Sequence, residues 1–298
     1  MKTEKILVLG ATGMLGSTLL TRLSQRERFE VYGSARCREG LSGWFAPQIQ
    51  ERIYSGVDAD NPDSILRLLA ELRPDVVLNC IGVIKQLPVA KDPLVSIGIN
   101  ALFPHRLALA CKAAGARLIH ISTDCVFKGD RGNYSESDQS DAEDLYGRSK
   151  FLGEVAEAHC VTLRSSIIGH ELKGGYGLID WFLSQEGTVR GFTRAIYTGF
   201  PTVEMVRIIA DYVIPNRGLQ GLYQVASPHI SKYDLLALVA QRYGKRITIE
   251  PQAEFSCDRS LDGSRFSAAT GYAAPGWPEL VDAMWQEYLE LRAPRQHP

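Results

Sequence analysis

Short runs of β-branched and apolar residues alternate with longer stretches of helical spacing through the first 165 residues. "KILVLG" predicts a strand, and "MLGSTLLTRLSQR" an amphipathic helix. "FEVYGSAR" and "ERIYSGVD" predict two further strands. "NPDSILRLLAEL" is a helix that Asn61 and Pro62 can start. "DVVLNCIG" is a buried strand, "NALFPHRLALACKAAGA" a helix and "RLIHISTD" a strand. "YGRSKFLGEVAEAH" predicts a helix and "CVTLRSSIIG" a strand. Continuous apolar strands separated by helices imply a parallel sheet covered on both faces. The handedness of βαβ units then points to a doubly wound, Rossmann-type sheet in an α/β protein.

The pattern loosens after Ile168. "HELKGGYGLIDWFLSQEGTVRGF" holds a helix flanked by glycines, and "TVEMVRIIADYVI" and "SKYDLLALVAQRYG" are helices. "GLYQVASP" and "ITIEP" are strands. "WPELVDAMWQEYLEL" is a last helix, and the tail "RAPRQHP" is expected to fray. The expected division is a dinucleotide-binding domain over residues 1–165 and a mainly substrate-binding α/β portion over 166–298, with some segments returning to the first domain. The polar stretch "KGDRGNYSESDQSDAED", residues 128–144, is long for a loop in a compact domain, which predicts a functional or mobile segment.

Composition narrows the class. With 33 basic and 34 acidic residues the chain is nearly neutral, so nothing in its balance favours nucleic acid or a membrane surface. No apolar run approaches the ~18 residues of a membrane helix. "MKTEKILVLG" leads directly into a strand, unlike a signal peptide. Six cysteines without a C-x-x-C pair suit reduced thiols in a cytoplasmic protein. The six histidines show no H-E-x-x-H spacing, and no metal site is expected. Nucleophile-elbow and P-loop patterns are missing too.

"GATGMLG" places Gly10, Gly13 and Gly16 between a strand and a helix. That context lets a backbone approach a pyrophosphate, with helix N–H groups directed at it. Gly10, Thr12, Gly13, Met14 and Leu15 are the expected cofactor contacts. The next strand ends in "YGSARCRE", with Ser34 and Arg36 and no acid before Glu39. A guanidinium there suits a 2′-phosphate, favouring NADP(H) over NAD(H). Asp58 either accepts from the adenine amino group or starts the next helix. "NCIG" puts Cys80, Ile81 and Gly82 at the crevice edge.

Tyr146 and Lys150 in "LYGRSK" share one helix face, which alone marks only neighbours. Together, "GATGMLG", "ISTDCVFKG" and "YGRSK" resemble the extended short-chain dehydrogenase/reductase family. Within it the chain is most similar to dTDP-4-dehydrorhamnose reductases and related nucleotide-sugar reductases. The resemblance covers most of the chain. It implies Thr123, Tyr146 and Lys150 as the catalytic set, with Tyr146 and Lys150 also touching the cofactor. A nearby ammonium is expected to lower the phenol's pKa. Tyr146 would protonate a carbonyl oxygen while Thr123 orients it. Asn100 lies where the superfamily supports the lysine through water; a plain polar residue near a helix start is the other reading.

The resemblance weakens at two positions that should face the sugar. Cys125 stands where these reductases have tyrosine, and Ser166 is followed by Ile167 where they have a Ser-Trp pair. Lys85 either binds substrate or lies in a solvated loop. "GFPT", with Phe200, and "LDGSRF", with Arg265, match segments near the sugar pocket. Arg190 and Arg194 are further candidates for a diphosphate. The expected activity is NADPH-dependent reduction of a nucleotide-activated 4-keto-6-deoxy sugar by a protein that can form a homodimer. The alternatives are a nucleotide-sugar epimerase or dehydratase retaining its cofactor, and a non-catalytic, cofactor-binding regulatory subunit.

Overall fold

The computed structural model describes residues 3–292. The first half builds β1 (Glu4–Leu9), α1 (Met14–Leu23), β2 (Phe29–Ala35), the single turns α2 (Leu41–Trp44) and α3 (Pro47–Gln50), β3 (Ile53–Ser55), α4 (Pro62–Leu72) and β4 (Val76–Asn79). A helix then runs from α5 (Pro93–Ser96) through a π-helical stretch (Ile97–Leu102) into α6 (Phe103–Ala114). β5 (Arg117–Ser122), α7 (Leu145–Leu152) and β6 (Cys160–Arg164) follow. The second half contains β7 (Ile167–Ile168), α8 (Leu178–Ser184), β8 (Thr188–Tyr197), β9 (Phe200–Pro201) and α9 (Thr202–Ile208). It ends with β10 (Gly221–Gln224), β11 (Ile230–Ser231), α10 (Lys232–Tyr243), β12 (Thr248–Asp258), α11 (Ser264–Thr270) and α12 (Trp277–Arg292).

Seven parallel strands form the main sheet in the order β10-β6-β5-β4-β1-β2-β3. The order reverses at β1, so the crevice at its carboxyl edge lies between β1 and β4. Both faces are covered, as the apolar strands require. On one face α1, α9 and α12 share a core with Leu19, Met205 and Met284; on the other, α4 and α6 close over Leu69 and Leu107. β10 comes from the second half of the chain and extends the first sheet beside β6. β8 carries a small sheet, with β12 parallel and β11 antiparallel to it.

Several elements differ from the sequence reading. β8 lies where only a loose, glycine-flanked region was expected. Its inward positions alternate with exposed Arg190 and Arg194, and Gly191 interrupts the apolar face. The α7 helix stops at Leu152 instead of continuing to His159. Gly153 sits so close to Asn100 that a Cβ there would lie 1.9 Å from its carbonyl oxygen. Pro93–Ala114 does reach membrane-spanning length, 22 residues with a mean hydropathy of 1.4. Its Phe103, Leu107 and Cys111 pack into the core beside α4. The stretch 128–144 is pinned: Tyr134 is buried, stacks on Phe127 at 4.1 Å and bridges to Leu261. Arg292 ends α12, and the rest of the tail lies outside the described residues.

Candidate active site

The glycine loop has a separate reason for each glycine. Gly10 has φ 77°, and a Cβ there would press on Ile81 and the Cys80 carbonyl at 3.1–3.2 Å. Gly16 touches the loop itself, since a Cβ would lie 2.2 Å from the Gly10 carbonyl oxygen. Gly13 is exposed and caps α1 without a side chain, so the first-turn N–H groups of Met14 and Leu15 stay open to an anion. Thr12 is half-buried beside them. Cys80 and Ile81 form the facing wall, and the Ile81 N–H is held by Asn79 Oδ1 at 3.1 Å. Gly82 is exposed. Burial pushes the Cys80 thiol up to about 12, so it is an apolar wall and not an ion.

At the end of β2 the expected pair separates. Arg36 is exposed. Ser34 is 1% exposed, and its hydroxyl accepts the Gly10 N–H at 3.3 Å. Ser34 is therefore a buried brace for the glycine loop, which corrects its expected place against the cofactor. Asp58 is half-buried, and Oδ1 accepts the Asp60 N–H at 3.1 Å ahead of α4. That is a turn-stabilising bond, and it leaves the other carboxylate oxygen available.

Thr123 directly follows β5 and starts a short turn; its Oγ1 accepts the Cys125 N–H and donates to Asp124, both at 3.1 Å. Asp144 caps α7 by accepting the Gly147 N–H at 2.8 Å, which sets the helix carrying Tyr146 and Lys150. Gly147 allows that helix to lie on the Cys125 carbonyl, 2.2 Å from where a Cβ would be. Burial pushes the Tyr146 phenol well above 10, Cys125 adds to this, and a hydrogen bond with Thr123 draws it partly back. The net shift is upward, against the expected lowering by Lys150. Lys150 is itself buried, its Nζ donates to the Ile121 carbonyl at 2.8 Å, and desolvation lowers it to about 8. The phenol is thus held in its neutral, protonated form.

Asn100 lies in the π-helical stretch and spends its amide on protein. Oδ1 accepts the Val83 N–H at 2.9 Å, and Nδ2 donates to the Val83 carbonyl at 3.0 Å and Ser149 at 3.3 Å. It ties the loop after β4 to α7 and does not reach Lys150 directly. Beneath, Arg164 clamps Glu154 through two bonds of 2.7 Å, and Ser122 donates to the same carboxylate at 2.7 Å. Glu154 also supports the charge on Lys150.

On the substrate side, Cys125 is half-buried next to Tyr146, and burial pushes its thiol up to about 12. Ser166 is half-buried, and its carbonyl accepts the Phe200 N–H at 2.8 Å. Phe200 itself is 0% exposed and packs edge-on against Tyr272. It is a core side chain, so its expected role on the pocket wall is corrected: Gly199 and Ser166 approach one another there, and Phe200 points inward. Arg265 is exposed and stacks on Tyr223 of the edge strand at 4.8 Å. Lys85 pairs with Asp144 at 2.7 Å, joining the loop after β4 to the α7 cap.

Two residues that the sequence reading passed over lie beside this cluster. Arg259 donates from Nε to the Phe127 carbonyl at 2.7 Å and points Nη1 at Cys125 Sγ, 3.6 Å away. Burial alone would lower its pKa, but Cys125, Cys257, Asp124 and Asp144 raise it overall. Tyr197 lies near Ser166, Cys125 and Asp124, and burial pushes its phenol upward. Its ring is fixed by Trp277 at 5.7 Å.

A glycine-loop crevice, with a half-buried tyrosine and a buried lysine on the same sheet edge, has the architecture of the Rossmann class. Residues 4–178 match the family described as RmlD substrate binding domain, and the chain belongs to that family. Among its relatives, dTDP-4-dehydrorhamnose reductase of Mycobacterium tuberculosis is 31% identical over 160 residues, 52% of this chain and 46% of that protein. The chain spans about half the length of the curated reductase it matches there. Methionine adenosyltransferase 2 subunit beta of Mus musculus is 23% identical over 96% of this chain and 91% of its own. The crystal structure of dTDP-4-dehydrorhamnose reductase from Bacillus anthracis in complex with NADP superposes with a TM-score of 0.77, covering 96% of this chain and 100% of that one at 21% identity.

Proposed function

We propose that this chain is an NADPH-dependent reductase acting on the keto group of a nucleotide-activated 4-keto-6-deoxy sugar. The observation that carries the reading is the half-buried, protonated Tyr146 beside Thr123, one helical turn from the buried Lys150. The open first turn of α1, the close fit of Gly10 and Gly16 and the exposed Arg36 suit a phosphorylated dinucleotide. Bound NADPH supplies a hydride to the carbonyl carbon. Tyr146 gives its proton to the carbonyl oxygen, producing the alcohol. Thr123 orients that oxygen, and Lys150 stabilises the phenolate left behind until a proton returns. Arg259, half-buried beside Cys125, suits the diphosphate of the substrate.

Mixing the protein with NADPH and dTDP-, UDP-, GDP- and CDP-linked 4-keto-6-deoxy sugars tests this, with loss of nicotinamide absorbance as the signal. Oxidation with one nucleotide class, abolished in Tyr146→Phe, is the expected result. Tight NADPH binding without turnover on any of them would sink it. The match to methionine adenosyltransferase 2 subunit beta over nearly the whole chain favours a second reading in that case, a cofactor-binding regulatory subunit.

A homodimer belongs to the same proposal. Leu94, Ile97, Leu102 and Leu109 on the long helix, with Phe151 and Leu152 on α7, expose an apolar face that a second copy would cover. A monomer in sedimentation velocity would exclude it.

A further inference from the structure

The loop between β7 and α8, residues 169–177, makes a contact that the proposed chemistry does not use. β6, which leads into it, is separated from β2 by β5, β4 and β1, roughly 19 Å at the usual strand spacing. Yet Lys173 of this loop places its ammonium 5.3 Å from the ring centre of Trp44, in the turn that follows β2. Leu172 beside it packs into the core that includes Leu15 and Leu19 of α1. The loop therefore reaches across the sheet, on the α1 side, toward the β2 end of the crevice.

Its tip is built. The Glu171 carboxylate accepts the N–H groups of Gly175 at 2.6 Å and Tyr176 at 2.7 Å. Gly174 and Gly175, at φ 111° and 86°, turn the chain back where other residues would be strained. Trp44 in turn lies flat on the turn after β2: a Cβ on Gly40 would sit 2.7 Å from its ring. The Leu41 N–H bonds the Arg38 carbonyl at 3.2 Å, closing that turn. Lys173, Arg36 and Arg38 are all exposed, and none of them has a carboxylate partner among the described residues. Glu39 is the acid in the same turn, also exposed and outside any ion pair. Three exposed cations without a carboxylate partner among the described residues thus belong to this turn or to the loop that touches it, and they come from two parts of the chain.

We propose that Lys173 is a further cofactor-binding residue, the third cation of a 2′-phosphate subsite with Arg36 and Arg38, delivered across the crevice by the β7–α8 loop. In the structure the ammonium lies over Trp44, whose ring face attracts it weakly. A dianionic phosphate at the β2 end draws it off the ring, because a charge-assisted hydrogen bond is the stronger contact. The loop would then lie over the dinucleotide. The inference rests on the NADP reading and adds to it a residue from the other half of the chain.

Calorimetric titration of the full chain with NADPH and with NADH tests it without any substrate. Lys173→Gln is expected to weaken NADPH roughly five- to tenfold while leaving NADH within about twofold, and Lys173→Arg to restore NADPH affinity. Unchanged NADH binding also reports that the variant is folded. Equal weakening of both cofactors, or no change in either, would overturn the inference. A wild-type protein with no preference for NADPH would overturn the NADP reading itself, before any variant is compared.

Discussion

Replacing Lys150 by Met is expected to stabilise the cofactor-free protein while destroying its activity. Lys150 is 6% exposed, and desolvation lowers its pKa from 10.5 to about 8. The unfolded chain therefore binds this proton more tightly than the folded one. Below pH 8 the folded state carries the full penalty of a buried charge. The penalty is relieved as pH rises from about 8 toward the unfolded value near 10.5. A difference of this size corresponds to about 3 kcal/mol against the folded state at neutral pH. Methionine removes that penalty at similar volume, but it leaves the Ile121 carbonyl without its 2.8 Å donor, a loss of about 1–2 kcal/mol. The net expectation is a gain of about 1–2 kcal/mol near neutral pH.

Urea denaturation of both proteins without cofactor, near pH 7 and about pH 9.5, reads this directly. Subtracting the two stabilities at each pH removes every titration that they share. The variant's advantage should shrink by about 2 kcal/mol at the higher pH, because folded wild type then sheds the proton. A difference that stays constant with pH would refute the reasoning, since it would mean that Lys150 is not charged at a cost in the folded protein. The same lysine is the group that would hold the phenolate, so the site is destabilised for the sake of its chemistry.

Three other perturbations test separate parts of the site. Gly16→Ala forces a methyl group to within 2.2 Å of the Gly10 carbonyl oxygen. It should weaken NADPH binding at least about tenfold and destabilise the protein by about 1–3 kcal/mol, by calorimetry and thermal melting. Glu154→Leu strands the Arg164 guanidinium, which is 2% exposed. A loss of about 3–5 kcal/mol in urea denaturation is expected, and a loss under about 1 kcal/mol would show that the pair is effectively solvated. Arg259→Met should raise KM for the nucleotide sugar roughly tenfold with kcat and NADPH affinity nearly unchanged. A fall in kcat alone would remove Arg259 from the diphosphate.

What sequence alone reveals here follows the range over which each feature is determined. The parallel strands, α1 and the glycine loop come from local apolar spacing and from glycines whose neighbours lie within a few residues, apart from the Cys80–Ile81 wall. β8 escapes the sequence pattern because its alternation is broken by Gly191 and its outward side is charged, so long-range pairing with β12 and β11 stabilises it. Ser34 and Phe200 occupy motif positions, yet their side chains turn inward, and strand-face orientation is set by register with neighbouring strands. Arg259 reaches Cys125 across 134 positions of sequence, a contact that no spacing rule contains. The Tyr146–Lys150 pair is the sharpest case. Its spacing correctly placed both groups on one short helix, but the sign of the effect on the phenol depends on how much water each has lost. Burial acts on the two groups in opposite directions, raising the phenol and lowering the ammonium, so each moves toward its neutral form. A cofactor ribose hydroxyl beside Lys150 would reverse part of that by giving the ammonium, already charged near neutral pH, a further partner and so easing the cost of its burial.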